Sequence, residues 1–308
     1  MSNNTAQLSP IKAWLSAFRL RTLPLALASI GLAAFLAASV HQFKWSVFLL
    51  SSLTTILLQI LSNLANDYGD SIHGADKVES GREGPQRAVS SGAISSQTMF
   101  KALVLFSVLS LVSGISLLYV SFTNIDTKFL LFLLLGLASI TAAIKYTAGS
   151  NPYGYAGLGD IAVLIFFGWV GVLGSYYLHT NTFDISLLLP ATTCGLFATA
   201  VLNVNNIRDI NSDLKAGKMS IPVRLGRPKA VVYHAILLMG GFLASIIFVL
   251  CQYTSMWNWL FLISLPLLIV NLKAVVKNED AAALDPYLKQ MALTTLLFVV
   301  TFGIGQLV

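Results

Sequence analysis

The sequence predicts an all-α integral membrane protein that crosses the bilayer nine times from a cytoplasmic N-terminus. Three observations predict it: the scarcity of charge, the length of the apolar stretches, and the side of the membrane on which the basic residues fall. Apolar residues make up 56% of the 308 positions and charged ones only 10%, against roughly 25% charged in a soluble globular protein. The mean hydropathy is +0.76. So few charges cannot clothe a soluble particle of this size, and disorder, a coiled coil or a secreted disulfide scaffold are excluded by the same composition. Cys194 and Cys251 sit inside apolar runs without metal-ligand spacing and read as small core or lipid-phase residues.

A helix needs about 20 apolar residues to cross the hydrocarbon core. The first candidate, about 22–41, follows Lys12, Arg19 and Arg21; its Ala37-Ala38 end resembles a signal-cleavage site, but it reads as a retained helix. The second, about 46–66, runs inward to an acidic cluster. The third, about 99–122, begins beside Lys101, and the fourth, about 128–146, returns to Lys145. The fifth, about 161–179, opens after Asp160, and the sixth, about 185–205, runs into a second acidic cluster. Arg224, Arg227 and Lys229 precede the seventh, about 229–252; Lys273, Lys277 and Lys289 lie between the eighth, about 257–276, and the ninth, about 288–307. With the N-terminus inside, all of the 19 Lys and Arg except Lys44 and Lys128 fall on the cytoplasmic side, as the positive-inside bias requires. The net charge of +6 therefore reflects topology and anionic lipid, not a nucleic-acid partner.

Polar chemistry concentrates in three cytoplasmic segments, about 67–98, 147–160 and 206–228. Asn63, Asp67 and Asp70 are spaced to share one face of the second helix as it leaves the membrane, and Asn205, Asp209 and Asp213 repeat that arrangement on the sixth. Carboxylates grouped so closely repel one another and are costly beside lipid. A hard cation removes the conflict: Mg²⁺ takes oxygen ligands and bridges carboxylates to phosphates. Two acidic helix ends on one face thus predict jaws for a magnesium diphosphate, with Arg82, Arg87, Lys215 and Lys218 following to offset its remaining charge. Between them, Tyr146, Tyr153 and Tyr155 on a Gly-rich turn supply hydroxyls and flat faces, suited to shielding a cation or to the interfacial aromatic belt. Asp160 opens the fifth span, where N-capping is the plainer role. His41, His179 and His234 have no evident partner, and His73 reads as solvated.

These residues resemble the UbiA-type intramembrane prenyltransferases. The resemblance is carried by Asn66-Asp67-Tyr68-Gly69-Asp70 with Gly74 and Asp76, by Gly84-Pro85-Gln86-Arg87, by Pro152-Tyr153-Gly154-Tyr155 through Gly157-Leu158-Gly159-Asp160, and by Asn205-Asn206-Ile207-Arg208-Asp209 with Gly217-Lys218. It runs from about Arg19 to Gly226, and the third of these segments points to the naphthoate branch; the last three helices match only as apolar spans.

The resemblance implies one nine-helix transmembrane domain over residues 1–308, wrapped around a central cavity open laterally to lipid. It implies Mg²⁺ held by Asp67, Asp70, Asp76, Asp209 and Asp213, with Asn66 and Asn205 beside them. Arg87, Lys145, Tyr146 and Lys218 would meet the diphosphate, Tyr153 and Asp160 would line the substrate site, and Arg21 would meet an aromatic acid. Asp76 follows Asp70 by six residues where many relatives have four. The implied reaction moves a polyprenyl group from its diphosphate to 1,4-dihydroxy-2-naphthoate with loss of carbon dioxide, giving demethylmenaquinone in the cell inner membrane with the site at the cytoplasmic face. Open alternatives are another acceptor on the same fold (4-hydroxybenzoate, homogentisate, a chlorophyllide or haem) and a transporter, for which midplane charges are expected instead.

Overall fold

The computed structural model describes residues 9–73 and 87–308. Among the described residues it is wholly helical outside its loops, and nine helices are long and apolar enough to span a bilayer. They are α1 (Pro10–Ser39), α2 (Trp45–Ile72), α3 (Ser96–Ser121), α4 (Thr127–Lys145), α5 (Gly159–Thr180), α6 (Ile185–Arg208), α7 (Arg227–Cys251), α8 (Met256–Lys277) and α9 (Ala282–Leu307). The number agrees with the sequence reading, and the ends differ in two informative places. α1 starts earlier than expected and breaks at Arg19, which takes a left-handed conformation (φ 48°) before the turn Leu20–Thr22. α2 continues past residue 66, so Asp67 and Asp70 stand on a rigid helix and not on a loop.

Local chemistry sets the boundaries. Asp126 accepts from the N–H groups of Lys128 and Phe129 to start α4, and Ser95 accepts from Thr98 to start α3. Prolines stand at the first turn of α7 and where α9 passes from its opening Ala282–Leu284 turn into α-helix, positions where a missing N–H costs little.

α2 packs along α3, α6 along α7, and α9 against both α1 and α8, while α1 also touches α2 and α5. The best-buried core is aromatic: Phe197, Phe261, Phe298 and Phe302 from α6, α8 and α9 are buried, with ring centroids 5.2–5.7 Å apart. Because lipid is as apolar as these side chains, buried polar pairs and close small-residue crossings carry much of the helix association. His234 meets Asn271 at 2.9 Å, joining α7 to α8, and Thr193 meets Ser245 at 2.8 Å, joining α6 to α7. At the end away from the acidic clusters, His179 accepts from the Lys44 N–H and stacks on Phe43. Both histidines thus have structural partners that the sequence could not name.

α5 winds as a π-helix over Leu164–Gly174, a form that often marks functional regions. There it crosses α6 so closely that a Cβ on Gly168 would lie 2.7 Å from the Ala191 carbonyl, and one on Gly195 2.8 Å from the Leu164 carbonyl. Gly168→Val should therefore force the two helices apart at a cost of about 1–3 kcal/mol. The thermal midpoint of the detergent-solubilised protein should fall, whereas Gly240→Ala, whose nearest neighbour is 3.5 Å away, should leave it unchanged.

Candidate active site

Three segments meet at one end of the bundle. On α2, the residues expected to share one face have separate partners. The Asn63 amide donates to the Phe18 carbonyl and the Thr22 hydroxyl, pinning the break in α1. Asn66 accepts from the Thr147 hydroxyl at 2.9 Å and lines the cavity described below. Asp67 accepts the N–H groups of Ala88 and Val89 at 2.9 and 3.0 Å, so it anchors the chain returning from the first loop. Asp70 is ion-paired with Arg87 and accepts the Tyr155 hydroxyl at 3.0 Å.

On α6 the pattern is similar. The Arg208 guanidinium forks onto both carboxylate oxygens of Asp209 at 2.8 and 2.9 Å and also reaches Asn205 at 2.9 Å. Its remaining arm reaches Asp285 on α9 at 2.6 Å, and the other oxygen of Asp285 accepts from Arg21 at 3.1 Å. Asp213, on the short helix Ile210–Lys215, pairs with Lys218 at 3.1 Å. Asp285 was invisible to motif reading, because it stands alone ahead of an apolar span with no acidic neighbour at helical spacing.

The third segment holds the two motifs together. A Cβ on Gly69 would lie 2.5 Å from the Thr147 carbonyl carbon and 2.9 Å from the Ala148 nitrogen, so only glycine lets the segment lie against α2. The Met219 N–H donates to the Tyr155 carbonyl at 2.9 Å beside Gly157, whose φ of +77° and 2.5 Å clearance from the Met219 carbonyl exclude a side chain. Tyr146 sits edge-on to Tyr153 at 5.4 Å, and Cβ atoms on Gly154 or Gly159 would each stand 3.0 Å from its ring. The Tyr153 hydroxyl donates back to the Ala142 carbonyl, leaving its ring on the cavity wall.

The cavity has a volume of about 410 Å³. Its polar mouth carries Arg21, Asn66, Asp70, Arg87, Tyr146, Asn205 and Lys218, and its walls are apolar side chains of α1 through α6 and of α9. Several expected site residues lie elsewhere. Asp67, Asp209 and Asp213 stand behind the wall. Asp160, expected beside substrate, is buried and accepts the Tyr233 hydroxyl at 2.9 Å, tying α5 to α7; it neither lines the cavity nor caps its helix. Lys145, expected on the diphosphate, is exposed at the end of α4 and away from the wall, because the helix turns its side chain outward there. Asp76 and Arg82 lie outside the described residues.

Charges from both motifs act on one another. Burial alone would push the Lys218 ammonium down, but Asp213, Tyr146, Asp70 and Asp209 together hold it above its ordinary value and protonated. Burial raises the Asp213 carboxyl, opposed by Lys218 and assisted by Asp209 and Asp70. Acids from two stretches far apart in sequence therefore share one electrostatic neighbourhood. The donor set is entirely oxygen, which suits a hard cation. Among the described residues no three acids are close enough to cage an ion alone. Mg²⁺ commonly takes one or two carboxylates and completes its shell with substrate phosphates and water.

A membrane bundle with an apolar chamber and a mouth of paired acids and cations defines an intramembrane enzyme for a ligand with an anionic head and a greasy tail. The chain belongs to the UbiA prenyltransferase family, whose model matches residues 26–300. It is 48% identical to the 1,4-dihydroxy-2-naphthoate octaprenyltransferase of Escherichia coli K12 over 97% of this chain and 98% of that one. It is 45% identical to the protein of that name from Haemophilus influenzae, over 97% and 96%. The fold matches that of a UbiA homolog from Archaeoglobus fulgidus, solved bound to DMAPP and Mg²⁺, with a TM-score of 0.61 and 17% identity over 96% of this chain and 99% of that one.

Burial pushes the Tyr146 phenol up to about 12, so it is neutral and able to donate at physiological pH. The sign for stability follows from that raised value: an unfolded tyrosine ionises near pH 10, so the contribution of Tyr146 is complete below pH 10 and is lost between about pH 10 and 12. The thermal midpoint of the wild type should fall more steeply across that window than that of Tyr146→Phe. A second expectation concerns Gly69→Ala, which should displace the third segment and lower turnover at least tenfold while far-ultraviolet circular dichroism stays helical.

Proposed function

We propose that this chain transfers a polyprenyl group from polyprenyl diphosphate to 1,4-dihydroxy-2-naphthoate, with loss of carbon dioxide, to give demethylmenaquinone. The observation that carries the reading is an apolar cavity whose mouth brings the two acidic motifs together: Asp70, ion-paired with Arg87, and Lys218, ion-paired with Asp213, both line it. The family membership and the names of the full-length relatives support the acceptor and donor classes. The chain works as a single transmembrane domain in the cell inner membrane, with its mouth on the cytoplasmic side where the basic residues concentrate.

The residues divide the work. Asn66 and Asp70 on one side, and Asn205, Asp209 and Asp213 on the other, are the oxygen donors that would hold Mg²⁺; the ion, when bound, supplies Lewis-acid neutralisation of the departing diphosphate. Arg87 and Lys218 stand beside those donors and balance the charge that the ion leaves over. The neutral Tyr146 hydroxyl donates to a diphosphate oxygen, and the rings of Tyr146 and Tyr153 present negative faces to the allylic carbon as its C–O bond lengthens. The apolar walls exclude water, so the electron-rich ring attacks that carbon in its place.

The test uses membranes containing the protein, octaprenyl diphosphate, Mg²⁺ and each aromatic acid in turn. Carbon dioxide released in step with prenylated naphthoate is expected, and prenylation of 4-hydroxybenzoate in preference would overturn the acceptor. Asp70→Asn and Asp213→Asn should each lower turnover by about a hundredfold or more, the several kcal/mol of charge stabilisation a metal supplies, while still inserting. Near-normal rates in both would sink the role given to the acids.

A further inference from the structure

One exposed cation stitches together two of the segments that build the mouth. Arg224 stands on the short helix Ile221–Leu225, which packs against α6, α7 and the helix Ile210–Lys215. From that base its Nε donates to the Met219 carbonyl and its Nη2 to the Ala156 carbonyl, both at 3.0 Å. Met219 follows the second acidic motif, whereas Ala156 lies in the third segment, 68 residues before Arg224. Beside them the Met219 N–H donates to the Tyr155 carbonyl at 2.9 Å. Gly157 leaves room for the crossing: a Cβ there would lie 2.5 Å from the Met219 carbonyl oxygen and 3.0 Å from the Arg224 Nε. The residues adjoining this joint both serve the mouth. Lys218, next to Met219, pairs with Asp213 at 3.1 Å and lines the cavity. Tyr155, next to Ala156, donates its hydroxyl at 3.0 Å to Asp70, which also lines it.

We propose that Arg224 is a positioning residue: its fork clasps the segment after α6 to the third segment and so holds Lys218 and Tyr155 in register for the diphosphate head of the donor. The inference rests on the proposed reaction and adds to it a residue that stands off the cavity wall. A planar guanidinium carries its donors at a fixed spacing and can span two acceptors, and its charge strengthens each bond. Lysine offers the same charge from a single point. A basic residue at the cytoplasmic face needs no partner to set topology. A solvated anchor would therefore give no reason for two donors of one side chain to be spent on the main chain of two separate segments. No acid is the target either, because among the described residues the Arg224 side chain donates to carbonyl oxygens alone.

The test compares the full-length wild type with Arg224→Gln and Arg224→Lys. Arg224→Gln should raise KM for octaprenyl diphosphate about tenfold, the worth of one charge-assisted hydrogen bond, and leave KM for 1,4-dihydroxy-2-naphthoate unchanged. Arg224→Lys should share most of that loss, because it keeps the charge without the fork. Full rescue by lysine, or an equal rise in both KM values, overturns the clasp. Gly157→Ala drives the same joint apart from its other side, so the double variant with Arg224→Gln should lose little more than the worse single one; losses that multiply overturn a shared joint. A reading without turnover is hydrogen exchange at the Met219 amide, which Arg224→Gln should speed up; exchange that the substitution leaves unchanged overturns the proposal. Failure of the wild type to prenylate the naphthoate overturns the proposed reaction instead, and the Met219 exchange still decides whether Arg224 holds the joint.

Discussion

Everything at the working end depends on neutralising acids at the edge of an apolar bundle. A buried carboxylate without a partner costs several kcal/mol, and here every acid of the two motifs among the described residues is answered. Asp70 has Arg87 and Tyr155, Asp209 has Arg208, Asp213 has Lys218, and Asp67 has two backbone N–H groups. Those partners come from the first loop, the third segment, α6 itself and the second loop. Charge balance therefore also dictates tertiary structure: satisfying the acids draws separate loops onto one mouth. The Arg21–Asp285–Arg208–Asp209 ladder extends the same logic to α1 and α9, with Arg208 and Asp209 only 1% and 3% exposed at their side chains and the Arg21–Asp285 rung open to solvent.

The same acids that demand these partners are the ones proposed to hold a cation. Asp70 meets Arg87 and the Tyr155 hydroxyl, and Asp213 meets Lys218. Asp209 meets the guanidinium fork of Arg208, whose arms are divided among Asp209, Asn205 and Asp285.

Much of this was legible in the residues. Apolar length gave nine spans, and their alternation put both acidic motifs at one end. What spacing could not resolve was direction. Asn63, Asp67 and Asp70 do fall near one another on α2, yet their partners lie in three different segments, because a helix face is about 100° wide and side chains on it diverge. Asp160 read as an N-cap from its place at the start of a span and as a site residue from the resemblance; its partner is Tyr233, 73 residues away and unreadable from sequence. Asp285 was overlooked for the opposite cause: it has no acidic neighbour at helical spacing, and only packing brings it to Arg21 and Arg208. The glycines of the third segment were visible as a motif, while their purpose, the clearance of Thr147, Met219 and the Tyr146 ring, required coordinates.

The size of the chamber decides where recognition must lie. About 410 Å³ is within the range of roughly 300–1,000 Å³ that encloses a drug-sized molecule, too little for a long isoprenoid chain, most of which must stay among the lipids. Moving such a chain from lipid to an apolar wall gains almost nothing, since the two media are equally greasy. The tail can therefore hold the donor at the right depth without discriminating strongly between donors. Affinity and selectivity fall instead on the head groups, where the low dielectric magnifies every charge. That is why a protein with charge on only 10% of its residues gathers so many of them at one mouth.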